Sequence, residues 1–166
     1  MEAGLRRTLE DGGEVEEVRG RALESISSHD GAWVRQAISE AYESDVRGLK
    51  VSAVHAMGRS CESRWLPLVL RELSNEDAEI RYEAALACGS LAEEQAVSGL
   101  APLLEDGDGE VQAAAITALG EIGGGAAKEL LQGLADNPSQ GVREAASEAL
   151  RESGFGEDPL SIGGGG

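Results

Sequence analysis

At 166 residues the chain has room for one domain, and its net charge of −17 at pH 7 opposes phosphate backbones and anionic membrane surfaces. Aromatic residues make up only 3%, so a core must come from many small aliphatic contacts, and the alanine- and leucine-rich composition favours helix. The two cysteines, Cys61 and Cys88, form no Cys-x-x-Cys arrangement and no disulfide framework, which fits a reducing compartment.

In chain order, the opening MEAGLRRTLEDGGEVEE lacks the apolar run of a secretion signal, and no later stretch approaches a membrane span. A cytoplasmic location is expected. From Val18 onward the chain repeats every 31 residues. An apolar residue recurs at Val18, Leu49, Ile80, Val111 and Val142, here taken as offset 0. Offset 4 is Ala22, Ala53, Ala84, Ala115 and Ala146, and offset 8 is Ile26, Met57, Cys88, Leu119 and Leu150. A repeat of this length marks a solenoid, a stack whose units touch only their neighbours.

Residues 77–107 show the unit most clearly. Asp77 is placed to cap a helix with an apolar stripe through Ile80, Ala84, Ala87, Cys88 and Leu91, at offsets 0, 4, 7, 8 and 11. A second helical stripe follows through Ala96, Val97, Leu100, Leu103 and Leu104, then Gly107 breaks it and Asp108 opens the next copy. Gly58, Gly89 and Gly120 share one position near the end of the register helix. Glycine there costs about 1 kcal/mol of helix propensity, so a close helix neighbour or helix termination is expected. Pro67 falls near the start of its outer helix, whereas Pro102 lies deeper and is expected to bend it. Trp33 and Trp65 fall near the starts of outer helices, where packing is their expected role.

The strings IRYEAALACGSLAEEQAVSGLAPLLED and VQAAAITALGEIGGGAAKELLQGLAD resemble HEAT repeats, in the short bacterial form also found in phycobilin lyase subunits. The second copy, LKVSAVHAMGRS, matches well, and the end copies, VRGRALESISSH and VREAASEALRES, lose the glycine. End copies are expected to turn a polar side to water. The resemblance implies an all-α fold, a right-handed α-solenoid of about five two-helix repeats over residues 1–153. Residues 154–166, glycine-ended, read as a flexible tail.

No constellation for catalysis emerges. His29 and His55 lie in different copies without a second ligand at metal spacing, and neither precedes a glutamate, unlike the His-Glu pairs of iron-holding HEAT-like hydroxylases. Gly123-Gly124-Gly125 and Gly163 to Gly166 lack the Lys-Ser/Thr of a phosphate loop. No catalytic residue, metal or cofactor is expected. A basic ladder at offset 1, Arg19, Lys50, Arg81, Gln112 and Arg143, is expected to pair with carboxylates such as Asp77 and Asp108 and lock the copies together.

By resemblance, the register helices line the concave side, and at roughly 10 Å spacing they make a groove about 40 Å long. Its stripe is expected at offsets 2, 6, 9, 10 and 13. The middle copies place Val51, His55, Tyr82 and Leu86 there, followed by Thr117 and Glu121, with Glu144 and Glu148 at the far end. An apolar centre with a charged rim is the anatomy of an interface, although Val51, Leu86 and Ala113 would also suit contacts between adjacent helices. The expected function is a non-catalytic interaction scaffold, a monomer that binds a basic or amphipathic protein segment but neither nucleic acid nor membrane. The alternative, implied by the resemblance, is a subunit of a phycobilin lyase-like complex that handles chromophores.

Overall fold

The structure, a computed structural model, describes residues 2–11, 16–29 and 31–154. The proposed tail from 155 onward, with Gly163 to Gly166, lies outside the described residues. Helices α1 (Glu2–Glu10), α3 (Ala32–Glu43), α5 (Leu66–Glu72), α7 (Val97–Leu100) and α9 (Gly124–Gly133) alternate with the register helices α2 (Glu16–Ile26), α4 (Arg47–Arg59), α6 (Ala78–Leu91), α8 (Gly109–Ile122) and α10 (Gln140–Glu152). Among the described residues there is no strand. Each register helix packs on the next, and each outer segment packs on the register helix that follows it. The result is a two-layer, all-α solenoid with one continuous core.

The repeat columns explain this packing. Offset 4 is buried alanine in all five copies, with exposures between 0 and 5%. Offset 0 is buried from Leu49 to Val142, but Val18 is 43% exposed. That departs from the expected stripe in the first copy, whose register helix packs on the nine-residue helix α1. Cys88 is fully buried, and burial pushes its thiol up to about 12, so it packs as a small hydrophobe. Cys61 is exposed in a left-handed turn with φ 51°.

Glycine at offset 9 brings register helices into contact. A Cβ on Gly58 would lie 2.7 Å from Ala87 Cα, and one on Gly120 would lie 2.9 Å from Ala149 Cβ. A Cβ on Gly89 would lie 3.0 Å from Ala118 Cα. Ala87, Ala118 and Ala149 all hold offset 7 of the following copy. Offset 9 therefore belongs to the helix–helix contact, and its expected place on the groove face is corrected. In the last described copy the inner pattern gives way to water-facing residues. Val54, Ala85 and Ile116 at offset 5 are replaced by exposed Ser147, and the glycine at offset 9 by exposed Arg151.

The ends of the units are built from a repeated turn. The side-chain oxygens of Ser44, Asn75, Asp106 and Asn137 accept from the backbone N–H two residues on, at 3.2, 2.9, 2.9 and 2.9 Å. Asp77, Asp108 and Ser139 then cap α6, α8 and α10 through side-chain oxygens. The outer segments are less regular. Pro67 sits in the first turn of α5, as expected, and at Pro102 the α-helical turn of α7 tightens into a 3-10 segment, Ala101–Glu105.

The close approach makes a stability prediction. Gly58→Ala should lower unfolding free energy by about 1–3 kcal/mol through overpacking, despite the better helix propensity of alanine. Gly133→Ala, whose new methyl meets nothing within 4 Å, should leave stability unchanged or raise it by up to about 1 kcal/mol. Urea midpoints of the two variants make the comparison, and a Gly58→Ala protein as stable as its parent refutes the close-approach account.

Candidate partner-binding groove

The offset-1 ladder is settled by geometry, with different partners from those expected. Arg81 reaches Asp106 with two hydrogen bonds, 2.8 Å from Nε and 2.9 Å from Nη2, and donates to the carbonyls of Asn75 and Glu76. Arg143 repeats the second part, donating to the carbonyls of Asn137 and Pro138, and Gln112 donates to that of Leu104. Lys50 lies 3.3 Å from Glu72. Asp77 pairs instead with Arg47, and Asp108 serves as a cap. The ladder's second to fifth rungs thus face the unit ends. Arg19 Nε is buried and has no hydrogen-bond partner among the described residues.

A buried charge escaped the sequence reading. Glu72 is 3% exposed. Tyr42 Oη donates to its Oε1 at 2.5 Å, and Asn75 Nδ2 donates to its Oε2 at 2.6 Å. Burial pushes the Glu72 carboxyl up, but these bonds and Lys50 outweigh it and leave it below the usual carboxylate range. Tyr42 is pushed up to about 12, first by burial and then by the bond to Glu72. Leu103 and Leu134 hold the equivalent position in later copies, so the only sequence signal was a charge where the repeat has leucine.

The register helices line two adjoining hollows on one face. The first, about 530 Å³, is bounded by Glu16, Glu17 and Glu24 of α2, Arg47 and Val51 of α4, and Glu79 and Glu83 of α6. The second, about 480 Å³, shares Arg47, Glu79 and Glu83 and adds Tyr82, Asp108 and Glu110. This face runs through offsets −1, 2, 3 and 6. It therefore differs from the expected stripe by including offset 3 and the residue before offset 0, and that change brings in Glu79, Glu83 and Glu110. A pairing 28 residues apart was the missed signal. Ser52 Oγ donates to Glu24 at 3.0 Å, and His55 Nδ1 lies 3.0 Å from Glu83 Oε2, each joining offset 6 of one copy to offset 3 of the next.

Of the residues read from sequence, Val51 and Tyr82 line these hollows, and His55 joins them through Glu83. Val51, Tyr82 and Leu86 are half-buried and packed against the core. Leu86 and the exposed Thr117 border neither of the two hollows. Glu144 and Glu148 stand apart, in a hollow on α10 with Arg143, Ser147 and Arg151. Glu121 is exposed, with its carboxylate lying across the bare Cα of Gly89. Partial burial, and then the Glu152 carboxylate, push Glu121 above the usual carboxylate range. Among the described residues no three His, Cys, Asp or Glu side chains stand together as a metal site, and no described helix is long and apolar enough to cross a membrane.

The family model for HEAT repeats matches residues 32–109 and 66–151. No curated protein matches the chain in sequence. Among solved structures, the chain is similar to the complex of CpcE and CpcF of phycocyanin lyase from Nostoc sp. PCC7120, with a TM-score of 0.75 and 20% identity. That match covers 96% of this chain and 66% of the other, so the chain spans just under two thirds of that protein's length. It is also similar to a designed armadillo repeat protein in complex with the peptide (KR)4, with a TM-score of 0.65 and 21% identity over 90% of this chain and 80% of that one. An engineered protein gives a TM-score of 0.66 and 21% identity over 93% and 81% of the two chains.

The His55–Glu83 pair predicts a pH dependence. The hydrogen bond to Glu83 holds His55 above its ordinary 6.5, against the opposing effect of burial. Because the folded value is raised, the pair's stabilisation is complete below pH about 6.5 and is lost as pH rises through the folded value. In Glu83→Gln the His55 titration, followed by the imidazole proton shift in NMR, should move down toward 6.5. An unmoved midpoint would sink the pairing.

Proposed function

This chain belongs to the HEAT-repeat family, and from that premise we propose that it is a non-catalytic interaction scaffold whose acidic groove receives a basic segment of a partner protein. The carrying observation is the pair of adjoining hollows, where Glu16, Glu17, Glu24, Glu79, Glu83 and Glu110 surround the half-buried Val51 and Tyr82. A segment with alternating cationic and apolar side chains suits that surface. Its cations meet carboxylates, while its aliphatic stems lie on Val51 and Tyr82. Arg47 already neutralises Asp77 and Glu79, at 2.8 and 2.7 Å. It is 58% exposed in its side chain, so a guanidinium from outside competes for those carboxylates at small cost.

His55, Leu86, Thr117 and Glu121 continue the same face toward the C-terminal end, with Glu144 and Glu148 beyond them as the last acidic contacts. The designed armadillo repeat protein of similar fold, in complex with (KR)4, supports the choice of a basic occupant. The working unit in this reading is a cytoplasmic monomer.

A second reading follows from the likeness to the CpcE–CpcF complex: a subunit of a chromophore-handling pair. In that case the same face would take a bilin with the help of a second protein.

The test uses fluorescently labelled (KR)4 and the purified chain. Anisotropy should show saturable binding at low salt and a loss of at least tenfold in affinity at about 1 M salt, where the screening length is about 3 Å. Glu83→Lys combined with Glu110→Lys, which puts two cations on the lining, should weaken binding at low salt at least tenfold. If (KR)4 fails to bind at low salt, or binds the double variant equally well, the groove is wrongly assigned. An absorbance shift when a bilin is mixed with the chain would favour the second reading.

A further inference from the structure

We propose that the first repeat holds a binding site for a small carboxylic acid with a flat apolar body, its carboxylate on Arg19 and its body against Trp33. The site lies away from the acidic face, between the outer and register layers. A cavity of about 150 Å³ there is lined by Leu9, Arg19, Trp33, Ala37, Ala41 and Leu49. A cavity of this volume has room for a ligand of about benzene's size.

Arg19 is the anomaly that points to an anion. It is the first rung of the offset-1 ladder, and the next rungs are each satisfied by their own unit or the one before it: Lys50 by Glu72, Arg81 by Asp106, Gln112 by the Leu104 carbonyl and Arg143 by the Asn137 carbonyl. Arg19 Nε is buried without a hydrogen-bond partner among the described residues. A buried donor left unpaired is costly, and a charged one more so. Although the chain carries 31 acidic residues, no described carboxylate meets this nitrogen.

The repeat shows what is missing. Lys50 stands 31 residues after Arg19, and Glu72 stands 31 residues after Ala41. The place that a buried carboxylate fills beside Lys50 is held beside Arg19 by a methyl group, and that methyl lines the cavity. A ligand carboxylate on Arg19 would restore the pair that the next repeat makes internally, with the bidentate geometry that guanidinium favours. The walls select the rest of the ligand. Trp33, Leu9 and Leu49 present an apolar surface to its body. Glu40, which accepts a hydrogen bond from Gln36 at 2.8 Å, stands in the lining and disfavours a second negative charge. A monocarboxylate therefore fits, and a phosphate or dicarboxylate does not.

The probe is benzoate, followed by Trp33 fluorescence in a Trp65→Phe background. A saturable change with a Kd of about 1 mM or tighter is expected for a ligand of this size. Benzamide, which has the same shape without the charge, and inorganic phosphate, which has charge without the ring, should each bind at least tenfold more weakly. Arg19→Met should weaken benzoate binding at least tenfold. Ala41→Glu, which supplies the carboxylate from within, should abolish the response and raise the melting temperature. The proposal is overturned if benzoate gives no saturable response, if benzamide or phosphate matches it, or if a folded Arg19→Met protein binds it equally. The ligand comparison on the parent protein decides the matter even where a variant does not fold. None of these outcomes depends on whether (KR)4 binds the acidic face.

Discussion

The contact between glycine at offset 9 and alanine at offset 7 of the next copy governs the rest of this structure. With no side chain on Gly58 or Gly120, the register helices touch at the backbone of Ala87 and the methyl and backbone of Ala149. Such an approach leaves no freedom to slide, because displacement along the axis would drive larger side chains into the gap. The fixed stagger then decides which longer side chains meet. On one face, positions 28 residues apart are brought together, as in Ser52–Glu24 and His55–Glu83. At the unit ends, positions 30 apart meet, as in Tyr42–Glu72 and Ser63–Glu93 at 2.5 Å each.

Polar side chains at the unit ends complete what the aliphatic core cannot. Helix termini leave unsatisfied N–H groups, and capping by Asp77, Asp108 and Ser139 satisfies some of them. Arg81 adds a different service. By holding both Asp106 and two main-chain carbonyls, it ties a register helix to the turns at both ends of its own repeat. Asp106 is held below its usual range by Arg81, so this tie is present at neutral pH and loosens only as acid protonates the carboxylate. Glu72 performs the equivalent task one copy earlier from a buried position. Its charge is tolerated because Tyr42, Asn75, Lys50 and Arg71 hydrogen-bond or pair with it.

Much of the fold was legible because solenoid packing repeats in the sequence. The period, the alanine column and the caps at Asp77 and Asp108 all read directly from aligned copies. Offset 9 was misplaced because glycine carries no apolar side chain, although here its bareness is what makes the contact. The turn at Ser44, Asn75, Asp106 and Asn137 was missed because residue type changes while the accepting oxygen does not. On the groove face, Val51, Tyr82 and His55 were found from their helical stripe. Glu79 and Glu83 were missed because the face is turned about the helix axis relative to a line opposite the core stripe. That turn follows from sideways packing, since each register helix buries two flanks as well as its inner side.

Positions on which the copies agree are committed to stacking, so specificity has to come from positions on which they differ. The offset-1 ladder shows how fine that distinction is. Arg19 and Arg81 are the same residue at the same register, yet Arg81 is saturated by Asp106 and its own turn, whereas Arg19 Nε has no partner among the described residues and stands beside a cavity. The difference lies in the partner position, where the third repeat has Asp106 and the first has Ser44. The acidic face obeys the same logic. Toward the N-terminal end its carboxylates are partly answered from within, by Arg47, Ser52 and His55. Toward the C-terminal end Glu121 faces Glu152, and partial burial, then repulsion from Glu152, raise its carboxyl. A positive charge arriving there relieves that repulsion without displacing an internal partner. At Glu79 it has to displace Arg47, so the two ends of one acidic face offer a cation different returns despite their similar composition.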